Sequence, residues 1–482
     1  MNKILRRTGV VSLVALLSAC VSFQTLEPAL QPLDHVDMPS MPAGAQNTEW
    51  PNDNWWTMFG DAQLDRLIEH GLSSSPTLAG AQARITRAQA AAAFARATDS
   101  PQVNAGIDAS YGRQSENYLI PKPPLGKGGE YVSQGQAALS FGMDLDLWGR
   151  NAAMIRAAGN QLQAAEFDHA AARLALTTSI ARAYAQLAGQ YDLQDVLLAT
   201  LKQRQDIRSL IDKRVASGLD TQVEVRQADT NVAALKVELE QLATAMKVSR
   251  LQLAALAGDM PAAADNISRP AMRAAAPQVP STLPLDLLGR RPELAAQRAR
   301  IAATIGDAEA AKAQFYPNIN LNAMLGFQAI GLDRLLDAGS FTNSIGPAIR
   351  LPIFDAGRLR ANYAGKISDV DAAIAQYNQS VLNAAQDVSE QLVRLSDLAR
   401  EEAATQEALT AAEEAHRLAM LRYRGGLSPY LTVLTVESQL LAQRRAMSLL
   451  RARRDDLQIS LLRALGGGFD ESRTTPATAQ TH

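Results

Sequence analysis

The sequence predicts an internally duplicated protein that combines long α-helices with transmembrane β-strands. Three observations indicate this mixed fold class: landmarks that recur at a fixed spacing, two pairs of alternating segments, and long helical tracts that proline does not interrupt. The expected architecture has four strands per chain, which three chains combine into a twelve-stranded outer-membrane barrel. Long antiparallel helical coiled coils extend from the barrel as a periplasmic tunnel.

The N-terminal residues have the form of a bacterial lipoprotein signal peptide, with a positive region, a short apolar core and small residues before Cys20. The apolar core, from Val10 to Leu17, is too short to cross the roughly 30 Å of bilayer hydrocarbon as a helix. Cys20 is the only cysteine, so we interpret it as the acylated first residue of the mature chain. Val21, where an aspartate would signal retention at the inner membrane, favours the outer membrane. An ordinary secretory signal is the alternative.

The composition argues against several classes of function. A net charge of −2 and a pI near 6.3 give no indication of nucleic-acid binding. The five histidines are scattered along the sequence, and no nucleophile–base pair, metal-ligand cluster or phosphate-binding loop stands out. We therefore expect no enzymatic activity, no metal site and no cofactor other than the covalent lipid on Cys20.

The sequence contains two copies of one pattern. Pro76, Arg84 and Pro101 of the first copy recur 216 residues later (292 − 76, 300 − 84, 317 − 101). The spacing becomes 208 (357 − 149, 426 − 218) after an enlarged Pro/Gly-rich loop at 121–129 of the first copy. Constant spacing over several landmarks predicts an internal duplication.

The duplication defines the expected domain boundaries. We place the first repeat at 61–258 and the second at 285–466, joined by a linker at 259–284. The remaining segments are a signal peptide at 1–19, a lipid-anchored extended segment at 20–60 and a flexible tail at 467–482.

Each copy contains two segments in which apolar and polar side chains alternate. They run from Val103 to Tyr111 and from Ala137 to Leu145 in the first copy, and from Ile319 to Phe327 and from Phe341 to Ile353 in the second. Segments of about ten residues with one apolar and one polar face are typical of transmembrane β-strands. A soluble antiparallel sheet would show the same alternation, but the lipoprotein signal and the two matching hairpins favour the membrane.

A long helical hairpin is predicted after each pair of strands. The first spans about 149–213 and returns through 257, and the second spans 357–422 and returns to 465. Apolar residues recur at steps of three and four, and glycine marks both turns. At 1.5 Å per residue, about 65 residues extend roughly 97 Å, which suits the periplasm. The alanine-rich tract at 79–97 favours close helix packing or reflects helix propensity alone.

Four strands cannot close a membrane barrel, and open strand edges are not tolerated in lipid. Two chains would supply eight strands and three chains would supply twelve. Because eight-stranded barrels are filled by side chains, the polar strand faces favour a homotrimer around an aqueous lumen.

Several segments resemble the TolC-type outer membrane factors, specifically their NodT/OprM-like branch of efflux lipoproteins. The most specific match begins at Asp286 with the sequence DLLGRRPEL and continues into FYPNINL, which ends at Leu321. The segments Trp55–Asp65 and Arg422–Leu434 are also similar to family motifs, and the likeness covers nearly all of the mature chain. The resemblance implies a trimeric barrel with a helical tunnel that closes at its periplasmic end, and no enzymatic activity.

The resemblance also implies partners, namely a periplasmic adaptor protein, an inner-membrane efflux pump and the lipid of the outer membrane. The chain would conduct drugs or other small molecules passively from the pump to the exterior. A periplasmic adaptor lipoprotein and a structural coiled-coil lipoprotein are the alternatives. The adaptor hypothesis is disfavoured because adaptors usually have one helical hairpin. The structural hypothesis is disfavoured because it leaves the strands unexplained.

The two hairpin tips are the predicted adaptor-docking surface. The glycines reverse the chain, the leucines offer exposed apolar contacts, and the arginines lie one turn earlier. These residues are Arg214, Gly218 and Leu219 of the first tip and Arg422, Gly426 and Leu427 of the second. The alternative is that glycine and leucine form only a helix C-cap with its apolar contact.

A periplasmic gate is predicted just past the tips, where Leu431 and Thr435 share one helix face and three-fold symmetry would bring three copies together. The corresponding turn of the first copy holds Val223 and Gln227, with Glu224 and Arg226 available for tethering pairs. In related lipoproteins the position of Thr435 is often acidic, and Glu437 points about 200° away. We therefore expect a different closing network. Packing of Leu431 inside the coiled coil is the alternative.

Overall fold

The computed structural model describes residues 26–35, 50–113, 115, 129–272 and 289–471. The predicted signal peptide, Cys20 and nearly all of the enlarged loop lie outside the described residues. None of the helices in the described part of the chain combines the length and apolar character that a membrane-spanning helix requires.

From the helix at Pro76–Ala97 onward, the same series of elements occurs twice along the chain. In the first copy the elements are α1 (Ala62–Ser74), α2 (Pro76–Ala97), β1 (Gln102–Arg113), β2 (Tyr131–Leu145), α3 (Arg150–Ala216) and α4 (Gln222–Leu256). In the second copy they are α5 (Pro292–Ala313), β3 (Asn318–Ile330), β4 (Phe341–Arg350), α6 (Arg358–Arg424) and α7 (Tyr430–Ala464). Corresponding helices have equal lengths of 22, 67 and 35 residues, which confirms the predicted duplication of the fold.

The four strands form one antiparallel sheet in the order β1-β2-β3-β4. One row across the sheet consists of Val103, Phe141, Ala323 and Ile345. The next row consists of Gln102, Gly142, Asn322 and Gly346. Because side chains alternate between the faces of a strand, this register places the predicted apolar residues of all four strands on one face. The predicted two-faced sheet is therefore confirmed.

The fourth strand is shorter than the sequence predicted. The alternation continues to Ile353, but β4 ends at Arg350 because Pro352 has no N–H for a further ladder bond. Pro347 lies inside β4 opposite Leu321.

The described parts of the chain divide into two compact units. One is drawn from 1–32, 86–164 and 297–376 and contains the sheet, and the other is drawn from 33–85, 165–296 and 377–482. The second unit has a large core of buried apolar side chains. Four of them lie on one face of α3 at the predicted helical spacing, namely Leu176, Ile180, Tyr184 and Leu187.

The described part of the N-terminal segment, residues 26–35, is an irregular strap whose backbone is bound by side chains of α6. The Tyr363 hydroxyl donates to the carbonyl oxygen of Leu26 over 3.0 Å. The N–H of Leu33 donates to Oδ1 of Asn378 over 2.8 Å. These bonds satisfy backbone groups that have no partner strand, so α6 holds the chain that leads from the predicted lipid anchor.

Candidate functional site at the hairpin tips

The two hairpin tips share one backbone geometry. Gly218 and Gly426 each have φ of +74°, a left-handed conformation that glycine adopts without steric cost. In each tip the backbone N–H of the residue after the glycine donates to the carbonyl oxygen five residues earlier. The bond from Leu219 to Arg214 is 2.9 Å long, and the bond from Leu427 to Arg422 is 2.8 Å long. This Schellman arrangement ends α3 and α6 identically.

The leucine after each glycine is not buried against its helix. Leu219 is 63% exposed and Leu427 is 72% exposed. An apolar contact often accompanies such a cap, but it covers only the smaller part of either leucine. Each tip therefore presents a largely exposed apolar side chain beside a hydrogen-bonded glycine turn.

The arginines of the two tips have different environments. Arg214 is largely buried and its Nε lies 2.8 Å from Oδ2 of Asp220, which is also largely buried. Arg422 is exposed and makes no ion pair with any described residue. The difference has a sequence cause, because the position that corresponds to Asp220 in the second copy is Ser428 (428 − 220 = 208).

The Arg214–Asp220 pair also binds the second tip. Arg214 donates to the carbonyl oxygen of Tyr423 over 3.0 Å, and its guanidinium lies 4.4 Å from the centre of the Tyr423 ring. The Tyr423 hydroxyl donates to the Asp220 carboxylate. These three residues form the tip clamp, which joins the first hairpin to the second. Sequence reasoning missed Asp220, although an acid two residues after the turn glycine was a usable signal, and it placed Tyr423 in the family-like tip segment without a contact.

Buried apolar side chains pack against the tip clamp. Side chains of both hairpins form one buried cluster, namely Ile207, Ile211, Val225, Ala228, Ala419, Tyr423, Tyr430 and Val433. Burial alone would raise the pKa of Asp220, but the hydrogen bonds from Arg214 and Tyr423 outweigh it and lower that pKa below 3.8. The clamp is therefore charged at neutral pH.

The predicted gate residues lie on exposed faces. Leu431 and Val223 are each 61% exposed, so Leu431 does not pack inside the coiled coil of its own chain. The Thr435 hydroxyl donates to the Leu431 carbonyl oxygen over 2.9 Å, which leaves Thr435 only acceptor capacity. Val223, Gln227 and other residues of α4 line an open groove that Leu434 borders.

Glu224 and Arg226 have partners on their own helix. The Glu224 carboxylate accepts a hydrogen bond from the N–H of Thr221 over 2.8 Å, and the Thr221 hydroxyl oxygen accepts one from Val223. This capping box begins α4, and the Thr221 hydroxyl is the main cause of the lowered pKa of Glu224. Arg226 lies 3.3 Å from Asp229. A contact between chains through Glu224 or Arg226 would therefore have to replace these contacts within the chain.

Glu437 is the second charged residue whose role the sequence did not reveal. It is 1% exposed and its Oε1 lies 3.2 Å from Arg204 on α3. Arg204 also donates to the carbonyl oxygen of Asn231 on α4 over 2.9 Å, so the pair connects three helices. Burial raises the pKa of Glu437, against the lowering effect of Arg204. The orientation agrees with the expectation that Glu437 points away from Thr435, which is exposed.

The described residues contain no group of three or more acidic, histidine or cysteine side chains that could hold a metal ion. The candidate site therefore combines two capped tips, exposed leucines, the charged tip clamp and the exposed residues that the sequence predicts as a gate. Together with the two-faced sheet and the 67-residue helices, it is the arrangement of an outer-membrane efflux channel.

A model of the outer membrane efflux protein family matches residues 67–259 and 283–467. The chain belongs to this family. Among curated relatives, it is 34% identical over 436 residues to the multidrug resistance outer membrane protein MdtP of Shigella flexneri, with 87% of each chain covered. It is 31% identical over 422 residues to the pyoverdine export outer membrane protein OpmQ of Pseudomonas aeruginosa, covering 87% of this chain and 88% of that one.

A solved structure gives the same result. The outer membrane protein VceC of Vibrio cholerae matches with a TM-score of 0.82 and 38% identity, covering 87% of this chain and 100% of that one. These similarities confirm the predicted fold class, the outer-membrane location and the function in efflux. They do not support the adaptor or structural lipoprotein alternatives, because the relatives are efflux channels. The family is one of channels and not of enzymes.

Replacing Asp220 with Asn should open the tip clamp. The substitution leaves the Arg214 guanidinium largely buried without a counter-charge, which costs about 3 kcal/mol, or roughly a hundredfold in amide protection. Hydrogen exchange of the two tips at neutral pH measures this effect. Ser428→Ala is the matched control at the same position of the second copy and should leave exchange unchanged. Equal protection in Asp220→Asn and the wild type would contradict the clamp.

The same variant fixes the sign of the pH dependence. Since the folded-state pKa of Asp220 is lowered from 3.8, its ionised form stabilises the folded tips above that value. The stabilisation is lost as the pH falls through the lowered pKa. The difference in exchange-derived opening free energy between the wild type and Asp220→Asn should therefore be constant at neutral pH and shrink below about pH 4.

Proposed function

We propose that this chain is the outer-membrane duct of a tripartite efflux system. In this system a homotrimer passively conducts drugs or other small molecules from an inner-membrane pump and a periplasmic adaptor to the exterior. The observation that carries the proposal is the two-faced sheet with free outer edges on β1 and β4. The relatives named for multidrug resistance and pyoverdine export support a small-molecule cargo.

The trimer follows from the strand edges. In lipid every backbone N–H and C=O needs a partner, so β1 of one chain must pair with β4 of the next. Three chains give twelve strands, which leave an aqueous lumen, whereas eight strands would be filled by side chains. The polar sheet face then borders the lumen and the apolar face contacts lipid.

The hairpin tips are the surface on which the adaptor docks. Leu219 and Leu427 are exposed on turns that backbone hydrogen bonds hold in place, and apolar side chains at preformed turns bind at low entropic cost. Of the two arginines, Arg422 is free to contact the adaptor, whereas Arg214 positions the tips through the clamp.

Replacing both Leu219 and Leu427 with Asp should abolish efflux without loss of the channel. In a strain that lacks the native gene, the wild-type chain restores drug resistance, and the variant should not, because charged tips disfavour an apolar contact. Site-specific cross-linking to the adaptor reports docking directly. Val248→Asp, at another exposed position of α4, is the control. Retained cross-linking and resistance in the double variant would remove the leucines from the docking surface.

The gate is formed by Leu431 and Thr435, together with Val223 and Gln227 of the first copy. Around the three-fold axis, Leu431 would exclude water, and Thr435 would provide weaker polar closure than a ring of carboxylates. Their exposure on the surface of a single chain supports this role.

Replacing Leu431 and Thr435 together with Ser should raise the single-channel conductance of the purified trimer and admit vancomycin into cells, because the apolar constriction is lost. Leu449→Ser, an exposed leucine further along α7, should change neither. Unchanged conductance in a correctly assembled double variant would exclude these residues from the gate.

The lipid anchor is Cys20, and Val21 permits sorting to the outer membrane. The anchor assists localisation more than folding, because the barrel itself inserts in lipid. The Cys20→Ser form should lose incorporation of labelled palmitate and remain at precursor size, while wild-type protein is processed. If the Cys20→Ser protein were still labelled with lipid and processed to the mature size, the interpretation of Cys20 as the acylated residue would be wrong.

A further inference from the structure

A cavity of ≈310 Å³ lies at the end of the sheet where the strands connect to the long helices. It is bordered by the connection from β2 to α3, the start of β3, the end of β4 and the start of α6. The lining residues used below are Trp148, Arg150, Tyr316, Asn318, Arg350 and Arg358. No part of the docking or gating proposal uses this cavity.

The strand register shows which face of the sheet the cavity adjoins. Asn318 is paired with Arg350, one residue from the pair Ile319 and Ile349, which belongs to the apolar face. Asn318 and Arg350 therefore lie on the polar face. Under the proposed duct, on which this step rests, the polar face borders the lumen. The cavity is then accessible to molecules in transit rather than to lipid.

The cavity carries unbalanced positive charge. Arg150 is paired with Asp144, and the Asp146 carboxylate accepts a hydrogen bond from an N–H at the start of α3 over 2.8 Å. Arg350 and Arg358 are exposed and form no ion pair with any residue that the structure describes. Two guanidinium groups are thus available to an anion, and their fork of N–H donors matches a carboxylate.

An aromatic wall and an unpartnered amide complete the lining. The ring of Trp148 stacks on Tyr316 with centroids 4.9 Å apart and planes 16° apart. Its Nε1 donates to the carbonyl oxygen of Pro317 over 2.7 Å, which fixes the indole. Oδ1 of Asn318 is buried and has no hydrogen-bond partner among the described residues. Stacked aromatic side chains favour planar ligands.

We propose that this cavity is a binding site for planar aromatic acids as they pass through the duct. Arg350 and Arg358 bind the carboxylate, and Trp148 and Tyr316 contact the ring. Three-fold symmetry repeats the site around the lumen and makes the junction of barrel and tunnel a cationic ring. The duct then selects anionic cargo at this level, independently of the pump.

Tryptophan fluorescence of the purified full-length trimer tests the local charge. The chain has four tryptophans, and Trp148 is the exposed one, at 49%. Quenching by iodide should fall about twofold when Arg350 and Arg358 are both replaced with Gln, as Coulomb energies at a wet, screened surface predict. Quenching by neutral acrylamide should stay constant. The matched control, Arg87→Gln with Arg334→Gln, removes equal charge elsewhere and should not alter iodide quenching.

Titration with 4-nitrobenzoate, compared with 4-nitrobenzyl alcohol, tests recognition of the acid. In the wild type, the dissociation constant of the acid, obtained from quenching of Trp148, should be at least tenfold lower than that of the alcohol. Charge-assisted pairing contributes about a factor of ten or more in affinity. Arg350→Gln with Arg358→Gln should remove the difference. Equal affinity for acid and alcohol, or an equal effect of the control variant, overturns the proposal. Because no transport is measured, this failure is distinguishable from failure of the proposed duct.

Discussion

The structure depends on one constraint, which is that backbone hydrogen-bonding groups cannot remain unpaired in lipid. The sheet of each chain satisfies β2 and β3 on both sides and leaves β1 and β4 with open edges. Closure by other copies therefore accounts for both the oligomer and its lumen. Contact with lipid hydrocarbon adds a second requirement, an apolar outer face, and the apolar row through Val103 and Ile345 meets it across all four strands.

Outside the membrane, the long helices must pack in one fixed register along their axes. Each 67-residue helix extends about 100 Å, and uniform apolar stripes permit sliding by one turn. Buried charge pairs oppose such sliding, because a shifted register leaves an ion unpaired in the interior. Arg204 with Glu437 connects three helices, and the tip clamp of Arg214, Asp220 and Tyr423 joins the ends of both hairpins. These pairs contribute specificity more than net stability.

Elements with a local period were predictable from the sequence, and contacts between the copies were not. Strand faces and helix bounds follow from periods of two and 3.6 residues, and the ends of α3 and α6 follow from glycine. The pairing of Asp220 with Tyr423 joins residues far apart in the chain, so it depends on how the hairpins pack. For the same reason, helix geometry predicted that the Glu437 side chain points away from Thr435, but it could not predict Arg204 as its partner. The end of β4 was missed because alternation continues past Pro352.

Duplication makes the differences between the tips informative. Both tips inherit the same glycine cap, yet Asp220 corresponds to Ser428, and the Thr221 cap of α4 corresponds to Pro429, which offers no side-chain cap. In the first tip Arg214 and Asp220 are therefore paired and largely buried, while in the second tip Arg422 is exposed. A tip whose polar groups are already paired is rigid, and one whose groups are unpaired can exchange partners.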